Sequence, residues 1–123
     1  MKIRIVSNTI RVRLTQSEIE ALKNDGEVLE RTNFVSEPFI YSVGLSDDVD
    51  EPEASFRSGH ISILLPESDA LDWIGSDQTG IENREYTEQG EGIKLLIEKD
   101  FQCLHVRRNE DESDAFPNPL AHQ

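Results

Sequence analysis

The chain has 123 residues, with 25 Asp and Glu against 12 Lys and Arg, giving a formal net charge of −13. One domain with an ordinary core fits this length, and the clustering of the 36% apolar residues argues against wholesale disorder. The acid excess repels nucleic-acid phosphates and anionic lipid, so neither nucleic acid nor a membrane is an expected partner. A basic protein remains compatible with it, although acidity that simply keeps the chain soluble is the plainer reading.

Ile3 and Ile5 alternate with Lys2 and Arg4, and Ile10, Val12 and Leu14 alternate with Arg11 and Arg13. With the Ser7-Asn8 turn signal between them, these runs predict a β-hairpin with one face in the core and one in water. Thr15, followed by Glu18 three residues later, predicts a capping box opening a helix over about 15–25. Leu14 and Ile19 occupy staple positions, and Gly26 is the expected stop. Strands are expected over Glu27–Phe34 and Phe39–Leu45, then an acidic, Pro-containing loop over Asp47–Glu53 that serves as the hinge between two halves.

The second half repeats the order. Ala54–Arg57, a Ser58-Gly59 turn and the alternating Ile61, Ile63 and Leu65 read as a second hairpin. Pro66 suits the first position of a second helix, whose buried face is Ala70 and Trp73 and whose end is Gly75. Strands over Glu82–Tyr86 and Ile93–Ile97, joined through Gly90, Glu91 and Gly92, complete it. At an offset of 51 residues, Ile10, Val12 and Leu14 fall on Ile61, Ile63 and Leu65, and Leu22 falls on Trp73. The match lies in hydrophobic order more than in identities. It raises an internal duplication of a ββαββ unit, while two similar β–α junctions would look much the same.

The expectation is therefore an α+β fold, with a mainly antiparallel sheet and two short helices. A single domain is expected over 1–106, with pseudo-repeats at about 1–46 and 54–101. Residues 107–123 form an acidic, Pro-containing tail.

Cys103 is the only cysteine, so no intrachain disulfide can form, which fits a reducing, cytoplasmic compartment. The start of the chain has a strand pattern rather than a signal-peptide layout, and its apolar runs are too short to span a bilayer. Cys103 and His105 share a face in an extended segment, but His60 and His122 are the only further imidazoles. A buried, inert thiol is the favoured reading, and no metal or cofactor is expected. The acids of the 47–53 loop lack the glycine and glutamate register of a calcium loop.

Two candidate binding regions remain. Arg4, Arg11 and Arg13, with Lys2, lie on the solvent face of the first hairpin, where they could hold a phosphate or carboxylate. The competing reading, favoured by the carboxylate excess, pairs them with glutamates such as Glu27, Glu30, Glu82 or Glu98. Phe116, Pro117 and Pro119 follow an acidic run, and a rigid segment with one aromatic anchor can dock into a partner's groove. The competing readings fold Phe116 back onto the body or leave the tail disordered.

The order of landmarks resembles a bacterial family of small proteins catalogued as a domain of unknown function. The similarity is carried by Met1–Ile5, by Ile10–Thr15 with Ser17 and Glu18, by Ile97–Cys103, and by the acidic run leading into Asp114–Pro119. It implies a cytoplasmic protein without an assigned activity and a tail that belongs to the domain. It transfers no catalytic residue. The residues together favour a non-enzymatic protein-interaction or structural module, partnered by another protein or by itself. The alternative is a small anionic-ligand-binding protein or enzyme using the basic hairpin face.

Overall fold

The structure is a computed structural model and describes residues 1–84 and 92–101. Its elements run β1 (Lys2–Val6), β2 (Thr9–Leu14), α1 (Gln16–Asp25), β3 (Glu27–Asn33), β4 (Pro38–Ser46), β5 (Glu53–Arg57), β6 (His60–Pro66), α2 (Glu67–Ile74), β7 (Gly80–Glu82) and β8 (Lys94–Lys99). The fold is α+β: two helices and two four-stranded sheets, in which four strand pairs are antiparallel and two are parallel. Among the described residues, no helix is long and apolar enough to cross a membrane.

The two halves share the element order strand–strand–helix–strand–strand, but neither half builds a sheet of its own. The first sheet runs β1-β2-β8-β7 and the second β3-β4-β6-β5. Each sheet therefore takes one hairpin from each half and joins them through a central parallel pair, β2 with β8 and β4 with β6.

The alternation read from sequence sets which side chains face the core. Ile3, Val12, Ile97 and Ile81 form one row across the first sheet. Val28, Val43, Ile63 and Ala54 form the corresponding row across the second. Both rows belong to one apolar cluster that also takes in Leu22 of α1 and Trp73 of α2, each 0% exposed. Burying each such side chain contributes roughly 1.5–3 kcal/mol before entropy is counted.

Helix α1 begins as its capping box requires. The Thr15 hydroxyl accepts from the Glu18 amide, and the Glu18 carboxylate accepts from the Thr15 amide at 2.9 Å. It ends at Gly26, whose φ of 80° is left-handed and whose N–H donates to the Leu22 carbonyl at 2.9 Å. Glu18 also pairs with the Met1 ammonium, tying the helix to the start of β1.

Three expectations need correction. Pro66 is not the first helical residue; it closes β6 and sits at the N-cap, with ψ at 126°. Strand β7 is Gly80–Glu82 and begins two residues before the expected Glu82–Tyr86, because Ile81 pairs with Ile97 in the core. Strand β8 runs on to Lys99 because the parallel pairing with β2 continues to Leu14. Residues 85–91, which include Tyr86, Gly90 and Glu91, lie outside the described residues, as do 102–123.

Candidate functional site

The outer face of the first sheet gathers the charges that the first hairpin begins. Arg11 and Arg13 alternate with the buried Ile10, Val12 and Leu14, so their side chains leave on the opposite side from the core. Arg4 stands opposite Arg11, and Lys2 opposite Arg13. Across the parallel seam, β8 adds Lys94 opposite Thr9 and Glu98 opposite Arg13. Strand β7 contributes Glu82. With Asp100, which follows β8 and pairs with Lys2, this face carries five cations, Lys2, Arg4, Arg11, Arg13 and Lys94, against three carboxylates, Glu82, Glu98 and Asp100. A chain with a net charge of −13 holds a locally basic surface.

Glu98 occupies the middle of that surface. Its Oε1 accepts from Arg11 Nε at 2.5 Å and lies 3.7 Å from Arg13 Nε. Gly80 stands directly opposite Glu98, and a Cβ there would come within 3.2 Å of the Glu98 side chain, so the glycine leaves it room. Lys2 pairs with Asp100 at 3.0 Å. Arg4 is exposed and makes no ion pair among the described residues. Of the glutamates weighed as partners, Glu98 meets the arginines, whereas Glu30 lies 3.7 Å from the Met1 ammonium.

The outer face of the second sheet differs. Leu29, Ser42, Ser62 and Ser55 form one row, and Arg31, Ile40, His60 and Arg57 form the next. Ser42 Oγ lies 2.8 Å from His60 Nε2. This pairing does not make a nucleophile: Ser42 is 2% exposed, so its oxygen is shut away from a substrate. The contact satisfies a buried hydroxyl.

A cleft of about 390 Å³ opens where the two halves meet, between the helices and the ends of β2 and β8. Helix α1 supplies Gln16, Ile19, Glu20 and Lys23, which form one stripe at helical spacing. Leu14, Ile74, Gly75, Lys99 and Phe101 complete the lining. Lys99 Nζ donates to the Ser76 carbonyl at 2.7 Å, and Phe101 is 62% exposed.

The acidic loop between the halves is tied to the second half. Arg84 donates to the Asp50 carbonyl at 3.1 Å and lies 3.8 Å from the Glu51 carboxylate. Among the described residues no three His, Cys, Asp or Glu converge to hold a metal ion. Cys103, His105, Phe116, Pro117 and Pro119 lie outside the described residues.

Sequence reasoning missed Lys94, the cleft and the Ser42–His60 contact. Lys94 had a weak signal, its alternation with Leu95. The other two arise from contacts between segments distant in the chain, which periodicity does not report.

The architecture defines an α+β protein whose two hairpin–helix–hairpin halves exchange strands between two sheets. The chain belongs to a family of unknown function (DUF7009), whose match covers residues 1–120. No curated protein and no solved structure matches it.

Proposed function

We propose that the protein is a non-enzymatic binding module that captures an acidic polypeptide segment on the outer face of its first sheet. One observation carries this reading: five cations against three carboxylates on a single sheet face of a strongly acidic chain. Complementary charge on such a face steers encounter and fixes orientation more than it supplies affinity. The acid excess elsewhere disfavours a long polyanion such as nucleic acid, whose flanking phosphates would meet like charge. Glu98 restrains the field between Arg11 and Arg13, which suits a short segment carrying spaced carboxylates. The protein acts in the cytoplasm on this reading, supported by its single cysteine.

The test is a titration of a labelled glutamate-rich peptide by fluorescence anisotropy. Saturable binding at low salt is expected, weakening as ionic strength rises and lost in Arg4→Glu/Arg13→Glu. Binding that survives both charge reversals, or no binding at low salt, overturns the reading. Tighter binding of a single-stranded oligonucleotide than of the peptide also overturns it.

A further inference from the structure

We propose that the cleft between the two halves binds a small amphipathic carboxylate, with its tail on Leu14, Ile19, Ile74 and Phe101 and its head at Lys23 and Lys99. The cleft's volume, about 390 Å³, is at the low end for small-molecule sites. It is large enough for a short apolar chain. Its floor is apolar: Leu14 is 1% exposed, and Ile19 and Ile74 are partly buried against the core cluster. Phe101 also lines the cleft, and with 62% of its surface exposed its ring is accessible to an apolar tail.

The polar groups choose the head group. Lys23 is exposed and makes no ion pair or hydrogen bond among the described residues. Lys99 donates one hydrogen bond to Ser76, and its ammonium retains two further N–H groups. Glu20 is the only carboxylate among the described lining residues, and it accepts from Asn24 at 3.4 Å. Two ammonium groups against one carboxylate favour a monoanion over a cation of the same shape. This site and the basic sheet face use different residues, so each stands or falls alone.

Decanoate and octanoate are titrated into the full chain and followed by methyl and amide NMR, with decylamine as the charge-reversed control. Saturable one-to-one shifts at Ile19, Ile74 and Phe101 are expected with decanoate, and none with decylamine. Lys23→Gln/Lys99→Gln weakens decanoate binding at least tenfold, and Arg4→Glu leaves it unchanged. A melting curve confirms that each variant folds, and the single variant Lys23→Gln, with an intermediate loss, serves if the double variant does not. Equal binding of decanoate and decylamine overturns the proposal. So do unchanged affinity in the lysine variants, shifts centred elsewhere, and no saturation up to the solubility limit of decanoate.

Discussion

Glu98 on β8 accepts a 2.5 Å hydrogen bond from the guanidinium of Arg11 on β2, across the parallel seam that joins the two halves of the chain. Both side chains are partly solvated, so the pair contributes little to stability, on the order of 0.5–1 kcal/mol. Its larger effect is on the field of the outer face. Glu98→Gln should lower the melting temperature only slightly and tighten the glutamate-rich peptide severalfold at low salt. Weaker binding in that variant would show that the carboxylate itself contacts the ligand.

Glu18 links helix α1 to the start of β1. Burial pushes its carboxyl upward, but hydrogen bonds from the Met1 ammonium and from the Thr15 amide and hydroxyl outweigh this and hold its pKa below the ordinary value. A lowered folded-state pKa stabilises the fold fully above the unfolded value and loses that stabilisation as pH falls through the folded one. Glu18→Ala should therefore cost about 1 kcal/mol at neutral pH. The gap between variant and wild-type stability should close in acid. Urea denaturation at a series of pH values measures it.

Gly26 holds φ at 80° with nothing within 4 Å of where a Cβ would sit. A substitution there meets conformational strain and no clash. Gly26→Ala should cost about 1 kcal/mol, and Gly26→Asn less, because Asn tolerates the left-handed region. Equal losses in the two variants would point to a contact rather than to backbone strain.

Ser42 and His60 meet at 2.8 Å on the second sheet. Ser42→Ala should cost about 1 kcal/mol through the lost hydrogen bond. A fluorophosphonate probe should leave Ser42 unlabelled, since the residue is 2% exposed. Labelling detected at Ser42 by mass spectrometry would reopen an enzymatic reading.

Trp73, the only tryptophan, is fully buried, and its indole N–H has no partner among the described residues. Its emission should be blue-shifted in the native state and move red on unfolding. Trp73→Ala should cost roughly 3–5 kcal/mol. Trp73→Phe should cost much less, because it removes an orphaned donor whose burial costs about 1–3 kcal/mol.

Features fixed by neighbours in the chain were legible from sequence. Thr15 and Glu18 lie one helical turn apart, so the capping box could be read directly, and Gly26 ended the helix as expected. Arg4, Arg11 and Arg13 could be assigned to one face because strand alternation permits only two. Pro66 was misplaced by one position because a proline that closes a strand and one that opens a helix look alike in sequence. The Ser42–His60 contact joins residues on strands whose parallel pairing no local pattern announces. The cleft needs both halves, so neither half's pattern contained it.

By itself, the sequence determined which residues turn inward, where α1 starts and where both helices stop, because side-chain periodicity and capping are local chemistry. It also determined the order of elements in both halves. Only the tertiary structure decided which hairpins share a sheet. Every strand offers the same row of N–H and C=O groups, so the partner of β2 is set by how apolar rows pack into a single core. That choice brings Arg11 and Glu98 together across 87 residues of chain, and with them a basic face and a cleft in an acidic protein.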